Sequence, residues 1–174
     1  TNLERIKTDV DTAEGAVRSA VDLLDSALSL ATQAGSPAQT PATMAALAQQ
    51  VAVIQERMVA VTATQVDGRY VFGGDEDQVA PYTLDPTQPN GVLAASVAPT
   101  ASNQAEEPAG GRFQTGRTAA EIFDSSTTGN VFAALETLRL ALVAGDSDAA
   151  TQAAATVKEA SEFVNNQLSF YGAV

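Results

Sequence analysis

A chain of 174 residues with 45% apolar content is long enough for one or two small domains with a sizeable core, and too apolar for wholesale disorder. Nine basic against 21 acidic residues leave a formal charge of −12, which repels phosphate backbones and anionic lipid and argues against nucleic acid and membrane insertion as modes of action. Cysteine and histidine are both absent, so disulfides and thiol chemistry are excluded, and the commonest general base and commonest zinc ligand are missing.

From the N-terminus, Leu3, Ile6, Val10, Ala13, Val17, Ala20, Leu24, Ala27 and Ala31 recur in steps of three and four. This heptad seam predicts a helix over 2–33, roughly 50 Å long. Glu14 and Arg18 stand in the favourable i,i+4 order on its outer side. Gly15, also outward, is costly inside a helix; it reads as a tolerated surface glycine or as a point of close approach by a neighbouring subunit. Ala34-Gly35-Ser36-Pro37 closes this helix with a terminal glycine and a following proline, and Thr40-Pro41 opens the next with a cap and a first-turn proline.

The second seam runs Met44, Leu47, Val51, Ile54, Met58, Val61 and Gln65 until Asp67-Gly68 stops it, which predicts an antiparallel hairpin of two long helices. Met44 and Met58 read as gap-filling core residues. After Gly68 the helical period disappears until about Val131, and prolines and glycines punctuate short strand candidates at 69–72, 79–84, 91–97 and 112–115. The polar, proline-bearing run 98–110 is expected to be an exposed, mobile loop. Asn130 then caps a helix through Val131, Leu135, Leu138 and Leu142 that Gly145 ends. A third seam, Ala150, Ala153, Val157, Ala160, Val164, Gln167 and Tyr171, runs to the last residues. Both ends lie in or beside long helices and the first residue is Thr1, so the sequence reads as a piece of a longer chain.

No constellation for catalysis emerges. Asp75-Glu76-Asp77 lacks the ligand alternation of a calcium loop and reads as a solvated turn. Glu106-Glu107 lies in the loop expected to be mobile, where no fixed carboxylate separation is held. Neither Gly73-Gly74 nor Gly110-Gly111 belongs to a phosphate loop, and no base is placed to activate a serine or threonine. The reading is therefore of a non-enzyme with no cofactor and no metal. The expected architecture is mainly α with a β-rich insertion: residues 1–66 and 130–174 form a discontinuous helical rod, and 67–129 a small irregular β subdomain.

The joint between the two carries the most specific sequence signal. Gly68-Arg69-Tyr70-Val71-Phe72-Gly73-Gly74 follows the second helix directly, and as a strand 69–72 would send Tyr70 and Phe72 to one face, which reads as a plug at the junction of rod and insertion or as also forming part of an intersubunit contact. Ala63, Gly68, Arg69, Tyr70, Phe72 and Gly74, placed at the end of a long helix, resemble the flagellin-like hook-associated protein of bacterial flagella; Thr64 stands where that family usually has asparagine. The resemblance extends to Ala13–Val17, Val21–Leu24, Ala27–Ala31 and 45–55, and near the end to Val131–Leu135, Leu142–Asp146, Asn165–Leu168 and Gly172. It implies a structural adaptor at the hook–filament junction that is exported through the flagellar secretion apparatus, with help from an export chaperone, and works outside the cell. It further implies contacts with other hook-associated proteins and flagellin, and self-association of the full-length protein. Flagellin itself is the alternative within this architecture. A surface- or glycan-binding module on a helical stalk is the alternative from another class, with Tyr82 and Phe113 among the few aromatics that the insertion offers.

Overall fold

The computed structural model describes residues 1–127 and 129–174; Thr128, within the expected insertion, lies outside the described residues. Helix α1 spans Asn2–Ala34, α2 Pro41–Thr62, α4 Val131–Val143 and α5 Ser147–Ala173. Each begins as its first residues demand. Thr1, Thr40, Asn130 and Asp146 all accept from a backbone N–H three residues on, and Pro41 occupies the first turn, where a missing N–H costs nothing. The helices pack in a ring of neighbours, α1 on α2, α2 on α4, α4 on α5 and α5 on α1.

The heptad seams are what they bury. All seven predicted positions of α5, from Ala150 to Tyr171, are buried, as are Val10 to Ala31 of the α1 seam and Met44 to Met58 of the α2 seam. Leu3 departs from the pattern at 75% exposed. Gly35 differs from expectation too. It closes α1 in a right-handed conformation with φ −71°, so the cap does not require glycine; it leaves room beside α5, where a Cβ would come 2.9 Å from Thr151 Oγ1.

Among the described residues between α2 and α4 the chain forms three two-stranded antiparallel hairpins and one short helix. Strands β1 Gln65–Val66 and β2 Arg69–Tyr70 pair around Asp67-Gly68; β3 Tyr82–Leu84 pairs with β4 Val92–Ala94; β5 Gln104–Glu106 pairs with β6 Arg112–Gln114. Helix α3, Ala119–Phe123, starts at Thr118, whose hydroxyl accepts from Glu121 N–H.

Three sequence expectations change here. Helix α2 stops at Thr62, and Gln65, the expected last seam position, instead lies in β1, because the turn at Asp67-Gly68 recruits the residues before it into a hairpin. The run 98–110 contains β5, which alternation could not reveal since only Ala105 of its three residues is buried. Helix α3 interrupts the supposedly helix-free stretch; at five residues it is too short to show a period.

The insertion is not separately cored. Val71, Phe72, Tyr82, Ala119, Ile122 and Phe123 belong to the same hydrophobic cluster as the helical seams. Phe72 meets Phe123 edge-on at 5.6 Å, Phe123 lies 6.4 Å from Phe132 of α4, and Tyr82 lies 4.8 Å from Phe132. Such pairs add roughly 1 kcal/mol each beyond their buried area. Leu24 of α1 is wholly buried, so Leu24→Ala is expected to lower stability by about 3 kcal/mol in urea unfolding. Leu3→Ala should leave it unchanged to within about 0.5 kcal/mol.

Candidate junction site

The site is built from the C-terminus of α2 outward. The hydroxyls of Thr62 and Thr64 donate to the carbonyls of Val59 and Val61, both at 2.6 Å, and so add a second donor to acceptors that backbone N–H groups already reach at the helix end. At the position where the resembling family carries asparagine, this chain thus uses a hydroxyl turned back onto its own helix. Thr64 C=O also accepts from Val71 N–H at 3.0 Å, which closes the base of the hairpin.

At the tip, Asp67 and Gly68 both take positive φ, 49° and 76°. This is the two-residue turn whose twist matches paired strands, with aspartate and glycine in its central positions. Space around Gly68 is open, so only its backbone conformation calls for glycine.

Arg69 is directed back to the helical bundle. Its Nη2 lies 3.2 and 3.3 Å from the two carboxylate oxygens of Asp9 on α1, and its Nη1 lies 3.8 Å from Asp77. With its side chain 25% exposed, this cation bridges α1 to the chain just past the double glycine. Tyr70 N–H donates to the Asp77 carbonyl at 2.8 Å, reinforcing the same bridge.

The strand ends at Tyr70 rather than Phe72. Val71 and Phe72 are consecutive and both buried, while Tyr70 is half-buried, so the alternation that would have put Tyr70 and Phe72 on one face is broken by a turn. The junction is plugged by Val71 and Phe72 instead. Phe72 C=O accepts from Ala119 N–H at 2.8 Å, which ties the outgoing chain to the start of α3.

Gly73 and Gly74 are needed for different reasons. A Cβ on Gly73 would lie 2.8 Å from Asp77 Cα, and one on Gly74 would lie 2.4 Å from the Ala101 carbonyl oxygen, with φ at 60° besides. Asp75 then fastens the next loop. Its carboxylate accepts from Thr100 N–H, Thr100 Oγ1 and Ala101 N–H at 2.8, 2.5 and 3.2 Å. The Thr100 hydroxyl foremost, then the Ala101 N–H, hold the Asp75 carboxyl below the usual aspartate range. The acidic triplet is therefore more than a solvated turn, with Asp75 and Asp77 each holding a partner.

The chain returns to the bundle through a second polar cluster. Tyr82 Oη donates to Asp124 Oδ2 at 2.9 Å, and Asn130 Nδ2 donates to Asp124 Oδ1 at 2.8 Å while its Oδ1 caps α4. Burial first, and then Asp124, push the Tyr82 phenol up. Tyr171 of α5 accepts from Arg117 N–H at 3.1 Å, and burial pushes its phenol up to about 12. The Arg117 guanidinium lies 4.6 Å over the Phe170 ring.

Of the residues singled out in the sequence, Gly68, Arg69, Tyr70, Phe72 and Gly74 are brought together at this joint, as chain neighbours must be. Gly15 is not among them; it lies on the exposed side of α1 with nothing within 4 Å of where its Cβ would stand. Asp9, Asp77, Asp124 and Asn130 complete the site without having been predicted for it. Arg69, the only cation in its run, called for a carboxylate, but nothing local selects Asp9 among 21 acids.

Gly68→Ala is expected to cost about 1–2 kcal/mol in urea unfolding, through backbone conformation alone. Gly74→Ala should cost more, since the Ala101 backbone must also move. Because the folded state lowers the Asp75 pKa, its contribution is complete above the unfolded value of about 3.9 and is lost as pH falls through the folded value. Urea midpoints measured down to about pH 2 should therefore fall more steeply in the unmutated chain than in Asp75→Asn.

No family model and no curated protein matches the sequence. Solved structures do. Xanthomonas campestris FlgL aligns with TM-score 0.83 at 15% identity, covering 99% of this chain and 89% of that one. The flagellar junction protein FlgL from Legionella pneumophila aligns with TM-score 0.80 at 12% identity, covering 99% and 92%. Bacillus cereus FlgL aligns with TM-score 0.77 at 19% identity, covering 98% and 78%. Rod, joint and insertion together have the fold of these flagellar hook-associated proteins.

Proposed function

We propose that this protein is a structural component of the bacterial flagellum, an adaptor at the hook–filament junction that assembles through lateral packing of its helices. The observation that carries the reading is the likeness in fold over 98–99% of the chain, insertion included, to solved junction proteins. The joint at Gly68–Gly74 supports it, since its ion pairs, backbone hydrogen bonds and packed rings hold the outgoing chain against the helices. Export through the flagellar secretion apparatus, an extracellular location, an export chaperone, and contacts with flagellin and other hook-associated proteins belong to the same proposal. Within it, 1–66 and 130–174 act as the load-bearing rod and 67–129 as the inserted subdomain.

Deleting the gene tests the adaptor role. Cells should lose their filaments while flagellin continues to appear in the medium. Loss of the major secreted subunit itself would identify the chain as flagellin, and intact filaments would refute both.

Gly15 offers a finer test. Its surroundings are open in the single chain, so Gly15→Ala should stabilise the isolated protein by about 1 kcal/mol. As a point of subunit approach, the same substitution should impair swimming, scored on soft agar.

A further inference from the structure

The outward side of the α1–α2 pair differs from the rest of this acidic molecule. Two shallow grooves, of 410 and 430 Å³, follow the line where the helices meet, and Arg57 lines both. The other lining residues, Ser19, Ser26, Leu30, Val53 and Ala60 among them, are uncharged, so among the described residues the only charge lining the grooves is positive, in a chain of net −12. Among the described residues Arg57 forms no ion pair, and it is exposed. Val53, at 43% exposed, adds an apolar wall.

A groove between two packed helices fits the ridge of a third helix. From Thr12 to Leu30 the α1 wall advances by roughly 27 Å, so the occupant needs about five helical turns. The chain contains a surface of that form. On the outward side of α5, Gln152, Ala155, Glu159, Glu162 and Asn166 are exposed and follow one another in steps of three and four, directed away from the buried seam. This ridge carries two carboxylates, Glu159 and Glu162, with the exposed Lys158 at its edge, where the groove presents the single cation Arg57. Within one molecule α5 packs against α1 and α4 through its opposite side, so its outward ridge can reach a groove only on another copy.

We infer that the α1–α2 groove receives the outward face of α5 from a second copy of this chain, with Arg57 facing the Glu159 and Glu162 carboxylates. Groove and ridge are different surfaces of one molecule, so the contact is heterologous and propagates side by side until it closes. This rests on the adaptor reading and specifies its lateral contact.

The absence of cysteine makes the test direct. In the full-length protein, Ser26→Cys and Ala155→Cys place one thiol at the groove and one on the ridge. A short bismaleimide should convert the double variant into a ladder of dimers, trimers and higher species. Adding Arg57→Glu should reduce the ladder about fivefold, and adding Glu159→Arg and Glu162→Arg to that variant should restore it. Helix content by circular dichroism confirms folding of each variant.

A double variant no better cross-linked than the two single ones, a ladder indifferent to Arg57→Glu, or efficient dimers from either single variant would each overturn the contact. The gene deletion separates this failure from that of the adaptor reading. Filament loss with continued flagellin secretion, alongside an absent ladder, leaves the adaptor standing and removes this interface.

Discussion

The structure depends on how closely α1 and α5 approach. Their facing seams are dominated by alanine and valine: Val17, Ala20, Ala27 and Ala31 on one helix, Ala150, Ala153, Val157 and Ala160 on the other, all essentially inaccessible. Small side chains let helix axes come near the short end of the usual 8–10 Å range, and alanine incurs no rotamer entropy on burial. Larger residues fill the opposite side, with Met44 and Met58 from α2 and Leu135, Leu138 and Leu142 from α4. The Ser161 hydroxyl, donating to Asp25 at 3.1 Å, pins the register of α5 on α1.

Gln167 of α5 enters this interior with its Oε1 unpartnered, but the charged group there is fully held. Glu136 of α4, 8% exposed, accepts from Gln55 of α2 at 2.6 Å and from Arg139 at 2.6 and 2.9 Å. Arg139 foremost holds its carboxyl below the ordinary glutamate range, whereas burial alone would raise it. The cluster spans α2 and α4, and a Cβ on Gly91 would stand 3.5 Å from its Oε2, so the β3–β4 hairpin is seated against it where the loop enters β4.

That seating matters because an isolated two-stranded hairpin is marginal in water. None of the three hairpins here stands alone. The first is held by Arg69 on Asp9 and by Phe72 in the core, the second by Tyr82 on Asp124, and the loop before the third by Asp75. The outgoing chain at Phe72 and the returning chain at Ala119 and Phe123 meet through a hydrogen bond and an edge-on ring contact. Force applied to the insertion therefore reaches the common core directly, without passing through the hairpin ladders.

Most of the helical architecture was legible in the amino-acid sequence, because heptad periods over 20 to 30 residues leave little freedom in which side is buried. The α5 seam was readable position by position, and caps at Thr40 and Asn130 marked helix starts. The sequence also determined that Asp67-Gly68 turns, whereas the need for glycine at Gly74 comes from the distant Ala101 carbonyl. Tertiary structure alone decided where α2 ends, that Val71 and Phe72 both turn inward, that α3 and β5 exist, and that Asp9, Asp77 and Asp124 complete the joint. The physical reason is the range of the forces involved. Period and capping act within a few residues and are written locally. An ion pair 60 residues apart, such as Arg69 with Asp9, forms only once packing has brought its partners together.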